Sequence, residues 1–201
     1  MFSLKEFESL KKFVQSGRSV LILMNEGGES KLGTNINYLL EQFGISVNTD
    51  SVVRTSFYKY LHPKEAFISH GAISQDFAKL SKGVKESTDK PKGGFAEKYR
   101  DKENTSDNEK GEGLSFVYPY GASLNTQKPA VPLLSSGPVS YPTDRPVIAA
   151  YQEPRNGGRL IVSGSIRLFD DEFIDKENNS KIFDGMMKYL SAPFEQVALK
   201  S

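Results

Sequence analysis

Apolar residues near the amino terminus recur at helical spacing and then run together, which predicts a helix followed by a buried strand. Ser3 and Glu6 form a capping-box signature at the start of the helix, and Gly17 supplies its stop. Residues 19–24 are a short continuous apolar segment of the kind that a parallel sheet buries on both faces. The stripe that predicts the helix consists of Phe7, Leu10, Phe13 and Val14.

The alternation of strand and helix then continues. A glycine-rich loop covers residues 25–33, and residues 45–47 begin a second strand after another helical stripe. Strand, loop, helix and strand in this order specify a right-handed crossover between parallel strands. We therefore predict an α/β fold with a mainly parallel sheet and helices on both faces. The second stripe consists of Ile36, Leu39, Leu40 and Phe43.

The later part of the chain carries strand, turn and helix signals. Residues 63–66 can open a short helix, because proline suits the first helical turn. Residues 114–118, 147–151 and 159–163 have the composition of strands, and the turn at 155–158 joins the last two. The final helix is predicted by Asn179 or Ser180 as its cap and by a stripe of Ile182, Phe183, Met186, Met187 and Leu190.

The composition changes sharply between residues 81 and 113, where Lys, Glu, Asp, Asn, Ser and Gly dominate. Such a stretch buries too little apolar surface to offset its ordering entropy, so we predict a mobile insertion loop at 81–113. The chain has 201 residues, 37% of them hydrophobic, and otherwise fits one domain over residues 1–201.

Charge and residue content exclude several classes of function. Lys and Arg total 26 against 25 Asp and Glu, so no net field steers the chain toward nucleic acid or an anionic membrane. There is no cysteine, which removes thiol nucleophiles and thiolate metal sites. Residues 1–13 lack the apolar stretch of a signal peptide, and no run approaches the roughly 20 residues that span a bilayer. We therefore expect a cytosolic chain without a membrane anchor.

The loop after the first strand is where an α/β sheet binds its ligand, which makes it the first candidate for a binding site. Gly28 and Gly33 have the spacing of a phosphate loop, but residues 34–35 are Thr-Asn in place of Lys-Ser/Thr. Two carboxylates in the loop would also repel an anion, which favours a tight backbone turn over nucleotide binding. This candidate ligand loop consists of Glu26, Gly27, Gly28 and Glu29.

Catalytic and metal-binding motifs are incomplete, so we predict no catalytic, cofactor or metal residues. Ser123 fails the Gly-x-Ser-x-Gly pattern because Asn125 stands at its final position. His62 and His70 are the only imidazoles, and they lack the spacing of a metal pair. Acidic residues before the final helix do not match a calcium loop and are interpreted as solvated charges: Asp170, Asp171, Glu172, Asp175 and Glu177.

An aromatic cluster forms the candidate interaction patch. Half of it should pack inward, while the remainder presents a surface for stacking or for contact with another protein. The patch consists of Phe57, Tyr58, Lys59 and Tyr60.

Ten stretches carry a resemblance to a known family, and the match that they define extends over nearly the whole chain except residues 81–113. In chain order they are 26–29 (EGGE), 35–41 (NINYLLE), 47–55 (VNTDSVVRT), 58–60 (YKY), 62–66 (HPKEA), 116–122 (FVYPYGA), 128–132 (KPAVP), 145–146 (RP), 164–165 (GS) and 175–181 (DKENNSK). Together they resemble the amino-terminal GIFT domain of intraflagellar transport complex B subunit fifty-two. Asn25 departs from the pattern, since a glycine is expected there.

The resemblance implies a fold like that of class I glutamine amidotransferases, in a flavodoxin- or Rossmann-like three-layer arrangement. It implies a noncatalytic scaffold domain of the complex B core that is required for cilium assembly. The expected partners are other complex B subunits, and the expected location is the cytoplasmic side of the cilium or flagellum and the basal body. The amidotransferases use a cysteine thiolate, which this chain lacks. A module that binds a carbohydrate or another small polar ligand is the alternative, and an amidohydrolase is the third.

Overall fold

The computed structural model describes residues 1–56, 59–82 and 114–193. The α-helices are Leu4–Gln15 (α1), Gly28–Leu32 (α2), Asn37–Leu40 (α3), Gln75–Lys82 (α4) and Asn179–Ser191 (α5), with 3-10 turns at Glu41–Phe43 and Arg167–Phe169. The strands are Ser19–Leu23 (β1), Ile45–Val47 (β2), Val53–Arg54 (β3), Glu65–Ile68 (β4), Phe116–Pro119 (β5), Leu124–Thr126 (β6), Val131–Ser135 (β7), Ser140–Tyr141 (β8), Pro146–Gln152 (β9) and Arg159–Ser163 (β10).

The largest sheet has four strands in the order β1, β10, β9, β7. β1 and β10 run parallel, with Ser19 opposite Arg159 and Leu23 opposite Ser163, whereas the other two pairings are antiparallel. The sheets β2–β6, β3–β8 and β4–β5 are two-stranded and antiparallel. The fold is therefore mixed and mostly antiparallel, and the prediction of a mainly parallel, flavodoxin- or Rossmann-like three-layer fold is wrong.

The physical reason for this correction lies in the partner that β2 takes. β2 begins at the predicted residues 45–47, but it pairs with β6, and β1 pairs with a different strand. β1 pairs with β10, and β10 in turn forms an antiparallel hairpin with β9 across the predicted turn at 155–158. Strand direction is thus set by contacts between distant parts of the chain, which local periodicity does not encode.

The prediction of a short helix at residues 63–66 is also wrong, because Glu65–Ile68 is strand β4. Ala66 and Ile68 are buried while Glu65 and Phe67 are half-buried, which is the period of two expected of a strand. Pro63 precedes the strand, and its carbonyl accepts the Arg54 N–H at 2.9 Å. Proline is tolerated there because that position needs only its carbonyl.

Two apolar cores lie on opposite faces of the four-stranded sheet, since side chains alternate along its strands. Ile148 of β9 belongs to the cluster that contains Met186 of α5. The next residue, Ala149, belongs to the cluster that contains Phe7 of α1. The sheet therefore connects the packing of the first helix with that of the last.

Local signals at the helix ends are mostly confirmed. The Ser3 N–H donates to Glu6 Oε2 at 2.7 Å, and the Glu6 N–H donates to Ser3 Oγ at 3.4 Å, which is the predicted capping box. At the final helix the N-cap is Asn178, so the prediction of Asn179 or Ser180 as the cap is wrong by one or two residues. The predicted insertion loop begins inside α4, which ends at Lys82, and residues 83–113 lie outside the described residues.

Candidate functional site

The candidate ligand loop begins directly after β1, where three segments of the chain meet. The Glu26 N–H donates to the carbonyl of Tyr120 at 2.9 Å, and the Gly27 N–H donates to that of Asp50 at 2.8 Å. Tyr120 follows β5 and Asp50 follows β2, so the loop is bound to two of the two-stranded sheets. This position makes the loop a junction of the fold.

The Glu26 carboxylate is buried, with only 8% of the residue exposed, and it carries three partners. Lys31 Nζ donates to its Oε1 at 2.5 Å, Lys64 Nζ contacts Oε2 at 2.6 Å, and Ser51 Oγ donates to Oε2 at 2.9 Å. Burial opposes ionisation of this carboxyl, but the hydrogen bonds from Lys31, Lys64 and Ser51 outweigh burial and lower its pKa to about 2. Glu26 is therefore an anion whose oxygens serve internal contacts.

The glycines of the loop are required by its backbone. Gly27 and Gly28 have φ of 75° and 52°, and a Cβ on Gly28 would lie 2.4 Å from the Asn48 carbonyl oxygen. The Gly28 N–H donates to the carbonyl of Asn25 at 3.1 Å. The N–H groups of both glycines therefore donate to carbonyl oxygens of the chain, so neither is available to bind a phosphate. The sequence interpretation of a tight turn describes this geometry.

Glu29 has an equally structural role. Its Oε1 accepts the Asn37 N–H at 2.5 Å, which satisfies one of the free donors at the start of α3. The Asn37 side chain in turn bonds both backbone groups of Val47, with Nδ2 on the carbonyl at 3.0 Å and Oδ1 on the N–H at 2.8 Å. Glu29 thus orients the helix that covers the outer edge of β2.

A second polar cluster lies beside the loop, and sequence reasoning missed it. Asp50 accepts from the Ser123 N–H at 2.8 Å and from Ser123 Oγ at 2.6 Å. Asn48 Nδ2 donates to Ser123 Oγ at 2.9 Å. Because Ser123 is fully buried and its hydroxyl donates a hydrogen bond to Asp50, the serine is out of reach of a substrate and acts as a structural donor. The sequence drew attention to Ser123 only as an incomplete Gly-x-Ser-x-Gly motif, and it gave no signal for its partners Asp50 and Asn48.

The two histidines lie in separate local contacts. The His62 ring stacks on Tyr120 with centroids 5.0 Å apart, and its Nδ1 accepts the Lys64 N–H at 3.1 Å. His70 Nδ1 shares a hydrogen bond of 2.9 Å with Ser69 Oγ. Neither histidine has a hydrogen bond to Ser123 among the contacts described.

Half of the candidate interaction patch can be placed, because Phe57 and Tyr58 lie outside the described residues. Lys59 forms an ion pair with Glu177, and the Tyr60 hydroxyl donates to the same carboxylate at 2.8 Å. Burial, and then the hydrogen bond to Glu177, raise the pKa of the Tyr60 phenol. Both residues are therefore held against the segment before α5.

The same loop exposes a residue that the sequence analysis did not select. Leu61 is 98% exposed, the highest value among the large apolar side chains of the described residues. The loop is held beneath it by Arg54, whose guanidinium donates to the carbonyls of Tyr60, Leu61 and His62. Single exposed leucines are common on protein surfaces, so no pattern in the sequence marks this one.

The acidic segment before α5 is engaged by a cation of the chain. Arg167 contacts Asp170 at 3.0 Å and Glu172 at 2.5 Å. Within residues 1–56, 59–82 and 114–193, no group of three or more acidic or imidazole side chains is arranged to hold a metal ion. In the same ranges, no helix is both long and apolar enough to cross a membrane.

Comparison with known proteins gives consistent matches. The family model described as the IFT52 GIFT domain matches residues 1–201. The chain is 44% identical over 191 residues to the intraflagellar transport protein 52 homolog of Mus musculus, covering 94% of this chain and 42% of that protein. The homolog of Homo sapiens is 42% identical over 190 residues, covering 94% of this chain and 40% of that protein. The chain thus spans about two fifths of the length of these relatives.

A solved structure, the mmIFT52 N-terminal domain, resembles the chain in three dimensions. The TM-score is 0.79 at 40% identity, over 98% of this chain and 75% of that chain. This likeness supports the mixed architecture described above over the Rossmann-like arrangement. From the sequence match over its whole length and this structural likeness, the chain belongs to the IFT52 GIFT domain family.

Proposed function

We propose that this chain is a noncatalytic scaffold domain of an intraflagellar transport complex B core subunit, and that cilium assembly requires it. Membership of the IFT52 GIFT domain family and the names of the curated relatives support the transport role. The proposal locates the domain on the cytoplasmic side of the cilium or flagellum and the basal body. Its partners are then other complex B subunits.

One observation supports a scaffold role over a ligand-binding role: the carboxylates of the candidate ligand loop bond to other groups of the same chain. The Glu26 oxygens are taken by Lys31, Lys64 and Ser51, and Glu29 caps α3. A small-ligand site needs convergent polar groups that remain free for the ligand. The alternative of a module for carbohydrates or other small polar ligands therefore has no support in this loop.

The loop that carries the candidate interaction patch is, in this proposal, a contact with another complex B subunit. Its described part is preorganised, because Arg54 binds three of its carbonyls and Glu177 holds Lys59 and Tyr60. A preorganised loop loses less conformational entropy on binding. Leu61 is the apolar side chain that such a contact would bury.

The test replaces Leu61 with aspartate in the full-length protein, in cells that lack their own copy of the subunit. We expect Leu61→Asp to lower copurification with complex B by roughly thirtyfold and to shorten cilia, because a buried anchor residue contributes about 2 kcal/mol to binding. Leu32→Asp is the matched control, since Leu32 is an exposed leucine on α2. Normal assembly with Leu61→Asp, or equal loss with both variants, would reject this loop as the contact.

A further inference from the structure

β1 is an outer strand of the four-stranded sheet, and no described strand pairs with its free edge. Its last four side chains are half-exposed, whereas every residue of its neighbour β10 is buried. Met24 donates its N–H to Ser163 at 2.8 Å, and the Arg18 carbonyl accepts from Arg159 at 3.2 Å, so even-numbered residues face β10. The N–H and C=O groups of Leu21 and Leu23 therefore point outward, and they have no partner among the described residues.

Two other strand edges in the described residues, those of β7 and β2, are protected. On the far side of the sheet, Gly71 accepts the Ser135 N–H at 2.6 Å and the Ile73 N–H donates to Leu133 at 3.0 Å. β7 also carries Pro132 and irregular register beside it. The outer edge of β2 is covered by the Asn37 side chain. Proteins normally protect edges in this way with proline, irregularity or covering groups.

Within the part of the chain that the structure describes, β1 has none of these protections. Its sequence, SVLIL, contains no charge and no proline. Val20 and Ile22 pack on the core that includes Leu10 of α1, while Leu21 packs on the core that includes Leu190 of α5. The edge thus offers alternating backbone donors and acceptors between two apolar rims.

We propose that the β1 edge binds one extended segment of another protein, which adds to the sheet as a fifth strand. Unpaired backbone groups recognise an extended backbone, and the rims favour uncharged side chains at alternate positions. A second copy of this chain fits the edge less simply, because pairing β1 with β1 would also bring two α1 and two α5 helices together. The inference deepens the proposed scaffold role by naming a second contact surface and the chemistry of its partner.

The first measurement is amide hydrogen exchange by NMR on the chain alone. We expect the amides of Leu21 and Leu23 to exchange at least about tenfold faster than those of Val20 and Ile22, because only the latter bond to β10. Slow exchange of all four amides in the monomer would mean that the chain covers its own edge, and would overturn the proposal. Protection that rises with protein concentration alone would assign the edge to a second copy, and would overturn it as well.

The second measurement adds a soluble probe peptide, acetyl-KTVTVTVK-amide, at millimolar concentration. We expect the Leu21 and Leu23 amides to become about tenfold more protected, with no effect from the same peptide N-methylated at alternate backbone nitrogens. Leu23→Lys should remove the effect, since an edge charge opposes strand addition, while the matched control Leu23→Met should keep it. Should Leu23→Lys fail to fold, the methylated peptide still decides the outcome.

No protection by the probe, or equal protection by its methylated form, would show that the edge does not bind an extended backbone. These measurements need no other subunit. Loss of edge binding and failure to enter complex B are therefore separate results.

Discussion

At the scale of single residues, Glu26 shows how burial and partners change the meaning of a sequence feature. The carboxyl lies in a glycine-rich loop, where the sequence indicated either a ligand-binding residue or a charge that repels an anion. In the fold, both of its oxygens are engaged by side chains from α2, from the segment after β2 and from the segment before β4. Glu26 therefore stabilises the junction of these segments, and the pH dependence of protein stability tests this role.

The pKa of Glu26 is lowered in the folded chain from 4.5 to about 2. A carboxyl whose folded pKa is lowered stabilises the protein above its unfolded pKa, and that contribution is lost as pH falls through the folded value. Lys31 is more than half exposed, so screening reduces the effect, and we expect about 1–2 kcal/mol at neutral pH. Glu26→Gln should therefore lower the free energy of unfolding at pH 7 and narrow its difference from wild type between about pH 5 and 2.

Urea denaturation over this pH range measures both quantities. Glu6→Gln provides a comparison, since Glu6 is an exposed carboxylate in a helix cap. A constant difference between Glu26→Gln and wild type down to pH 2 would contradict the assigned linkage.

At the scale of elements, Asn179 connects the last helix to the β4–β5 sheet. It is fully buried at the first position of α5. Its Oδ1 accepts the Val117 N–H at 3.1 Å, and its Nδ2 donates to the carbonyls of Val117 at 3.2 Å and Phe173 at 2.9 Å. The sequence indicated a cap at this position, whereas the fold uses the amide as a bridge between elements.

Asn179→Ala leaves the Val117 N–H and the Phe173 carbonyl without this partner inside the protein. We expect it to lower the free energy of unfolding by about 2–4 kcal/mol, because buried polar groups that lose their hydrogen bonds keep the cost of desolvation. Asn178→Ala is the matched control. Asn178 is half-buried and donates to the Ser115 carbonyl at 2.9 Å, so its loss should cost only about 1 kcal/mol.

Chemical denaturation of both variants checks this order. Equal losses for Asn178→Ala and Asn179→Ala would show that the bridge contributes no more than an ordinary helix terminus.

At the scale of the whole molecule, the contacts predict the absence of turnover. The Ser123 hydroxyl is committed to Asp50, and Glu26 is held as an anion by two lysines. We therefore expect the purified chain to hydrolyse glutamine, glycosides and esters no faster than buffer, since a nucleophile must be reached by its substrate and Ser123 is fully buried. Product release measured by mass spectrometry over long incubation tests this expectation. Turnover that disappears in His62→Ala or Glu26→Gln would contradict it.

Elements with local causes were predictable from the sequence. The capping box at Ser3, the start of β2 and the apolar stripe of the last helix depend on residues within a few positions of one another. Their energetics are those of caps, turns and periodic burial, which the sequence displays directly. The chain's family was recognisable for a related reason, because long strings of residues recur in order.

Strand partners and the use of side chains were decided only by the tertiary structure. β1 joins β10, and β2 joins β6, across separations that no local pattern reports. The partners of Glu26 come from residues 31, 51 and 64, and only the closed fold brings them together. Periodicity indicates which face of an element is buried. The pairing and direction of strands, and the neutralisation of a buried charge, depend instead on which distant segment of the chain packs against that element.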